Sequence, residues 1–158
     1  MAEVVGWRIV KEKHAATAFS GEGARIFEGR WNSAGVRMVY CSENVALAAL
    51  EILAHTRPVT MRDKFRVFRV SWDDAIMVVV DLKNLPKAWS AQPPTAASKN
   101  IGDEWIKSGQ SAVLALPSVL VPLEKTFLLN PKHPDFRKIK ITGAGNFVLD
   151  PRLKHYDL

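Results

Sequence analysis

Short apolar runs separated by turn residues dominate this chain, a pattern typical of strands. The segment 65–70, FRVFRV, has the alternation of a half-buried strand, and 76–80, IMVVV, predicts a central strand. Further strands are predicted at 4–10, 37–41, 112–116 and 127–129, with 119–121 continuing the 112–116 strand beyond a kink. The last two apolar segments, 138–141 and 147–150, predict a hairpin around a Gly-Ala-Gly turn.

Helical patterns are fewer. Residues 45–54, VALAALEILA, predict an apolar helix that Ser42 caps, with Glu43 in its first turn, and that Pro58 ends. A short amphipathic helix is predicted within 98–109, beginning near Gly102. The segments 11–20 and 85–94 predict a short helix and a connecting loop with a helical turn. Six to eight short strands with two or three helices indicate an α+β, sheet-dominated fold in a single domain, 1–158.

Length and composition fit one globular domain, with 158 residues of which 47% are hydrophobic and 24% charged. The net charge of +6 favours anionic partners. The densest basic cluster is interpreted as solvated surface (Lys132, His133, Arg137, Lys138 and Lys140). The single cysteine, Cys41, excludes an internal disulfide. We expect a cytoplasmic protein without a membrane anchor, since no signal core and no run of roughly 18 apolar residues is present.

A loop rich in glycine and arginine, 21–35, precedes the predicted 45–54 helix. Its glycines permit close approach of a ligand to the backbone. Arg25 and Arg30 offer planar forks of donors suited to phosphate or carboxylate. Glu51 is the charged residue inside the apolar helix, so it faces either a solvated stripe or a ligand cleft. With Arg8, these residues form a candidate anion site.

His55 lies one helical turn after Glu51, on the same face. The pair fits an ion pair, an acid–base couple or half of a metal site. A third ligand is not evident nearby, so we predict no metal. The glycine spacing of GEGARIFEG does not fit a dinucleotide-binding fingerprint, and no Walker loop, HExxH or GxSxG motif occurs.

Several short motifs follow one another along the chain: Trp7-Arg8, GRWN (29–32), VYCSE (39–43), GDEW (102–105), LPS (116–118), LNPKHP (129–134) and LDPRL (149–153). In this order they resemble the RES-domain toxins of bacterial toxin–antitoxin pairs over nearly the whole chain. Two positions depart from that pattern. Glu28 stands where many relatives carry glycine before GRWN, and Thr126 stands where asparagine is common. Glu28 would add a negative charge beside the candidate anion site.

The resemblance implies a fold similar to ADP-ribosyltransferase toxins and an enzyme that consumes NAD as its substrate, with no separate cofactor. The residues that name the family fall on Arg30, Glu51 and Ser118, which are the expected catalytic residues and also contact NAD. Arg8 and Tyr40 match further positions of the NAD-binding pocket.

Each of these residue types suits a part of the reaction. Arg30, with Arg8, would hold the pyrophosphate through charge-assisted hydrogen bonds. Glu51 would stabilise the oxocarbenium-like state formed as the nicotinamide–ribose bond breaks. Tyr40 would offer its ring to nicotinamide. Ser118 would offer a hydroxyl to ribose or phosphate, although a serine after proline also stabilises turns.

The resemblance also implies an Xre-type helix-turn-helix antitoxin that covers the cleft, and contact with operator DNA only through that antitoxin. A homodimer is left open. The acceptor of the ADP-ribosyl group is undecided between water or phosphate, which makes the enzyme an NAD-degrading one, and a protein side chain, which makes it an ADP-ribosyltransferase. Two other classes stay as alternatives. The charge suggests a nucleic-acid-binding or nuclease toxin, and Trp31, Trp89 and Trp105 suggest a non-catalytic interaction module.

Overall fold

Residues 2–54 and 58–154 are described by the computed structural model, except for the side chain of Ala144. Their strands are β1 (Glu3–Lys11), β2 (Val39–Ser42), β3 (Phe65–Asp73), β4 (Met77–Val79), β5 (Val113–Pro117), β6 (Lys125–Leu129) and β7 (Lys140–Phe147). The helices are α1 (Glu22–Ile26), α2 (Val45–Leu53) and α3 (Ala96–Ser108), joined by short 3-10 segments. The α+β, sheet-dominated fold class is therefore confirmed.

The strands form one mixed sheet in the order β4-β5-β6-β2-β1-β3-β7. Every neighbouring pair is antiparallel except β4 and β5, which are parallel. The long β1–β3 ladder pairs Glu3 with Asp73 at one end and Lys11 with Phe65 at the other. The short β2 and its neighbours β1 and β6 therefore occupy the middle of the sheet. Two of the candidate site residues lie on these strands, Arg8 on β1 and Tyr40 on β2.

Several predicted strands differ from the structure in their pairing. The 76–80 strand was predicted to be central, but β4 is an edge strand with Val79 49% exposed. The predicted hairpin within 138–150 is one continuous edge strand, β7, which pairs with β3 through an irregularity between Val67 and Arg69. The predicted continuation at 119–121 is a turn after Pro117. Apolar runs predict strands, but they do not determine which strands become neighbours.

Helix α2 begins at Val45, as predicted, but its cap and the start of α3 differ from the prediction. Asn44, rather than Ser42, caps α2, because its side chain accepts a hydrogen bond of 2.8 Å from the Leu47 amide. Ser42 is the last residue of β2, and Glu43 accepts from the Lys125 amide instead of lying in the first helical turn. α3 begins at Ala96, so Gly102 lies in its middle.

The two faces of the sheet carry different packing. Trp7 pairs with Ser42, so Tyr40, two residues from Ser42, shares the face of Trp7. On this face α2 packs over Trp7 and Ile9, and α3 packs over Tyr40 and the neighbouring strands. The opposite face is filled by the curled sheet's own side chains (Val39, Cys41, Val70, Trp72, Val113, Phe127 and Leu129). Within the described ranges, no helix is long and apolar enough to cross a membrane.

Candidate functional site

The GRWN motif forms a tight loop that closes on itself. Gly29 donates its amide to both the backbone oxygen and Oδ1 of Asn32, each at 3.1 Å. Asn32 is fully buried, and its Nδ2 donates to the Ala24 carbonyl at 2.7 Å. A Cβ on Gly29 would lie 2.8 Å from the Tyr40 hydroxyl, so only glycine fits there.

Helix α3 fixes this loop from the other side. The Ser98 hydroxyl donates to the Arg30 carbonyl at 2.7 Å, and the Asp103 carboxylate accepts from the amide and hydroxyl of Ser33 at 2.9 and 2.6 Å. Gly102 permits the close approach, because a Cβ there would lie 1.7 Å from the Trp31 carbonyl oxygen. The GDEW and GRWN motifs therefore build one rigid unit.

The Arg30 guanidinium is oriented by neutral acceptors on the segment after 85. Its Nη1 donates to the carbonyls of Trp89 at 3.0 Å and Ala91 at 2.8 Å, and Nη2 donates to Gln92 Oε1 at 2.8 Å. Trp31 and Trp89 stack with ring centroids 6.1 Å apart and an interplanar angle of 16°. Nε–H and one Nη2–H find no acceptor among the described residues. These two donors remain available to an anion.

Burial lowers the pKa of Arg30, and the nearby Glu51 carboxylate opposes this shift. An arginine stays charged even when its pKa is lowered, because its ordinary value is far above neutral pH. Among the described residues, no carboxylate lies within 4.0 Å of the Arg30 guanidinium to neutralise its charge. The cation is therefore held in place without being paired.

Glu51 lies on α2 and is half-buried, so it does not stand on a fully solvated stripe. Burial raises the pKa of Glu51, and Arg30 acts in the opposite direction. Arg30 and Glu51 thus interact electrostatically, yet they form no ion pair within 4.0 Å. Their charged atoms therefore lie more than 4.0 Å apart, and the space between them is called the Arg30–Glu51 gap. The predicted partner His55 lies outside the described residues, so the Glu51–His55 pair stays a prediction.

Tyr40 joins the same group through its position on β2. Its hydroxyl donates to Asn32 Oδ1 at 2.6 Å and accepts from the Trp31 amide at 3.1 Å. Burial, the main cause, raises the pKa of Tyr40 well above its ordinary value, so the phenol stays neutral. Arg30 and Glu51 both lie near enough to affect this pKa. The hydroxyl is used by the loop, which leaves only the ring to offer to a ligand.

Arg8 is not brought together with Arg30 and Glu51. It alternates with Trp7 along β1 and therefore lies on the face opposite α2, where Cys41 also lies. Its Nε donates to the Ala18 carbonyl at 2.7 Å and its Nη1 to the Tyr40 carbonyl at 2.8 Å. Burial lowers the pKa of Arg8. These contacts tie the segment before α1 to β2, and a role in NAD binding stays a prediction.

Ser118 is held inside a turn by its own hydrogen bonds. It follows the end of β5 and is 0% exposed. Its hydroxyl accepts the amides of Leu120 at 3.2 Å and Val121 at 3.3 Å, and its own amide donates to the Glu124 carbonyl at 2.8 Å. The structure therefore shows a serine that stabilises this turn, and its role in NAD binding and catalysis stays a prediction.

Arg25, the remaining member of the predicted anion site, is paired elsewhere. It forms a short ion pair with Glu22 on α1, and Glu22 also binds Arg37 at 2.8 Å. The added charge of Glu28 is compensated as well, because its carboxylate lies 3.0 Å from Lys99 Nζ on α3. Arg25 is thus occupied by Glu22, and Glu28 is an ion-pair partner of Lys99 on α3.

Sequence reasoning missed the residues that hold Arg30. Trp89, Ala91 and Gln92 lie about 60 positions away in the chain, in a segment predicted as plain connection. Its prolines and tryptophan were the available signal. The burial of Trp31, Trp89 and Trp105 removes the support for an interaction module built on exposed tryptophans.

Comparison with known proteins assigns this chain to a family. The family model described as RES domain matches residues 5–150. "Toxin Res" of Yersinia enterocolitica is 35% identical over 149 residues, covering 94% of this chain and 98% of the relative. "Prs ADP-ribosylating toxin" of Sphingobium sp. is 35% identical over 152 residues, covering 93% and 94%. "Toxin Res" of Pseudomonas putida is 31% identical over 149 residues, covering 93% and 97%. This chain belongs to the RES domain family.

Proposed function

We propose that this chain is the toxin of a toxin–antitoxin pair, and that it binds NAD in the gap between Arg30 and Glu51 and breaks the nicotinamide–ribose bond. The observation that carries the proposal is the arrangement of these two charges: Arg30 is fixed by three neutral acceptors and forms no ion pair with the half-buried Glu51. A dinucleotide with an anionic pyrophosphate and a ribose that becomes cationic during the reaction supplies the complementary charges.

Arg30 binds the pyrophosphate in this proposal. Its position is set by two backbone carbonyls and the Gln92 amide, so the guanidinium is already fixed before a ligand binds. Charge-assisted hydrogen bonds from arginine to phosphate oxygens are short and strong. Because no described carboxylate lies within 4.0 Å of the Arg30 guanidinium, its Nε–H and one Nη2–H are left for the ligand.

Glu51 acts on the ribose. As the C1′–N1 bond breaks, its electron pair leaves with nicotinamide and positive charge develops on the ribose. An ionised carboxylate in a partly desolvated position stabilises that charge more strongly than it would in water. Arg30 favours the ionised form of Glu51, because it opposes the effect of burial on the pKa of Glu51. Water then adds at C1′, loses a proton and gives ADP-ribose.

Tyr40 provides an aromatic wall next to both charges. Its hydroxyl is held by Asn32 and Trp31, so the ring cannot turn freely. An oriented ring of this kind suits stacking with nicotinamide, which is planar.

A second reaction outcome is favoured by one relative. The Sphingobium protein carries the name "Prs ADP-ribosylating toxin". The same bond cleavage with a protein nucleophile in place of water or phosphate would transfer ADP-ribose to that protein. In either case an antitoxin, which we expect to be an Xre-type helix-turn-helix protein, would protect the cell by covering the cleft.

One experiment separates these outcomes. The purified chain is incubated with NAD alone, with inorganic phosphate added, and with a cell extract containing labelled NAD, and the products are separated by chromatography and gel. ADP-ribose indicates hydrolysis, ADP-ribose-1″-phosphate indicates phosphorolysis, and a labelled protein band indicates transfer. Unchanged NAD in all three reactions, with the chain folded, would rule out an NAD-consuming enzyme.

A further inference from the structure

The LNPKHP motif takes no part in the proposed NAD site, yet it lines a groove of about 610 Å³. The groove lies between the loop 33–37, the end of α3 and the turn that follows β6. Arg30 and Glu51 do not line it. It is therefore a second concave surface with its own chemistry.

The turn that forms one wall of the groove is rigid. Asn130 Oδ1 accepts the Lys132 amide at 3.1 Å. His133 Nδ1 accepts the Asp135 amide at 3.0 Å, and Nε2 lies 2.9 Å from the carbonyl of Gly109 at the end of α3. His133 thus ties the turn to α3, and the groove keeps its shape without a ligand.

Cations dominate the groove. Arg25, Arg37 and Lys132 line it, and among the described residues no carboxylate does so. Glu22 is shared by the two arginines, which leaves this trio with a net positive charge. The Lys132 side chain is exposed and enters no ion pair within the described ranges. An anionic ligand is therefore favoured.

The uncharged residues that line the groove indicate which class of anionic ligand fits it. Val36, Ile106 and Pro134 add apolar side chains to the lining of the groove. No Phe, Tyr or Trp of the described residues lines the groove, so single-stranded nucleic acid finds no stacking platform. Duplex DNA presents phosphates on a convex surface and offers little to an apolar lining. A peptide with both apolar and acidic side chains matches both features.

We infer that this groove is a docking site for an acidic peptide segment of a partner protein, with an apolar side chain against Val36 and Ile106 and carboxylates beside Lys132 and the arginines. Binding here leaves the Arg30–Glu51 gap open. The site is independent of the proposed NAD chemistry, because none of its residues belongs to that gap.

The test is a selection of random twelve-residue peptides displayed on phage against the folded full chain, with removal of phages that also bind Lys132→Glu. Lys132 is exposed, so its reversal should not affect folding. Lys83→Glu is the matched control, since it makes the same change of net charge at an exposed lysine outside the groove.

We expect the selected peptides to combine Asp or Glu with Leu, Ile or Phe. Their dissociation constants, measured by fluorescence anisotropy, should rise at least about tenfold in Lys132→Glu, because like charges placed together in an interface are strongly unfavourable, and less than about twofold in Lys83→Glu. NAD turnover should be equal in both variants and the wild type.

Neutral or basic peptides, or acidic ones that bind Lys132→Glu equally well, would overturn the inference. So would displacement of the peptides by duplex DNA at equal phosphate concentration, which would indicate a nucleic-acid site. If NAD turnover is absent from every protein but peptide binding follows the expected pattern, the proposed function fails while the groove assignment stands.

Discussion

No ion pair within 4.0 Å joins Arg30 to Glu51, although Arg30 lowers the pKa of Glu51 against the effect of burial. Arg30 is held by Trp89, Ala91 and Gln92 and so cannot collapse onto the carboxylate without losing three hydrogen bonds. The two opposite charges are thus kept apart by the fold.

Arg30→Ala should weaken NAD binding. Removing a charge-assisted hydrogen bond costs roughly 1.5–3 kcal/mol, which corresponds to about a tenfold to hundredfold rise in the dissociation constant. Lys138→Ala is the control, because Lys138 is exposed and pairs only with Asp135 at 3.0 Å among the described residues. Calorimetric titration with NAD measures both. Equal dissociation constants for the two variants would show that Arg30 is not the phosphate contact.

Glu51→Gln should leave NAD binding nearly intact and lower turnover by roughly 10²–10³, the scale for one electrostatic contact to a transition state. The change keeps the shape of the side chain and removes its charge. Glu104→Gln, on the exposed side of α3, provides the same change away from the site. A folded Glu51→Gln protein that consumes NAD at the wild-type rate would end the catalytic assignment.

The stability of the protein should depend on pH through Glu51. Burial raises the pKa of Glu51 in the folded state, so the folded chain binds this proton more tightly than the unfolded chain. The stabilisation from this group is fully present below about pH 4.3, the ordinary glutamate value, and is lost as the pH rises through the folded pKa. The amide introduced by Glu51→Gln does not titrate. The unfolding free energy of wild type minus that of Glu51→Gln should therefore fall with rising pH.

Urea unfolding at a series of pH values measures this difference. Arg30→Ala removes the cation that lowers the pKa of Glu51, so in that background the fall should extend to higher pH. If the difference in unfolding free energy instead grew with pH, the pKa of Glu51 would be lowered in the folded state, and the effect of Arg30 on this pKa would exceed the effect of burial.

Ser118→Ala should act on stability rather than on NAD binding. The hydroxyl accepts two turn amides and is fully buried, so its loss should cost roughly 0.5–1.5 kcal/mol of unfolding free energy. The dissociation constant for NAD should stay within about twofold of wild type. Ser90→Ala, at an exposed serine, is the control. Weakened NAD binding with unchanged stability would instead support the direct contact that the family resemblance implies.

Gly102→Ala should destabilise the chain by about 1–3 kcal/mol, although alanine is the better helix former. The new Cβ would lie 1.7 Å from the Trp31 carbonyl oxygen, so α3 or the GRWN loop has to move. Gly143→Ala meets no atom within 4 Å and serves as the control. Thermal unfolding of both variants checks the contrast, and a Gly102→Ala protein as stable as Gly143→Ala would contradict the tight loop–helix contact.

The elements were largely predictable, and their arrangement was not. Apolar alternation is local, so β1, β3 and α2 were found within a few residues of their observed limits. Pairing is not local. A run such as IMVVV has the same pattern at the edge of a sheet as at its centre. The segment 138–150 has a pattern that fits a single strand paired with one neighbour as well as it fits a hairpin.

The same limit applies to the site. Arg30 and Glu51 stood out because arginine in a glycine loop and glutamate in an apolar helix are chemically conspicuous. Gln92 did not, because its role exists only through a contact across 62 positions of the chain. Arginine and serine are residue types expected in such a site, so the sequence pointed to Arg8 and Ser118 as well. Only the structure shows that Arg8 lies on the face of the sheet opposite α2 and that Ser118 lies in the turn after β5.

The hold of Trp89, Ala91 and Gln92 on Arg30 also has a kinetic consequence. A free arginine side chain samples many rotamers, and fixing it costs entropy. Here that loss occurs when the chain folds, before any nucleotide arrives. NAD should therefore meet a site that needs no rearrangement of this residue, and its association rate should be governed by diffusion and ionic strength rather than by a slow conformational step.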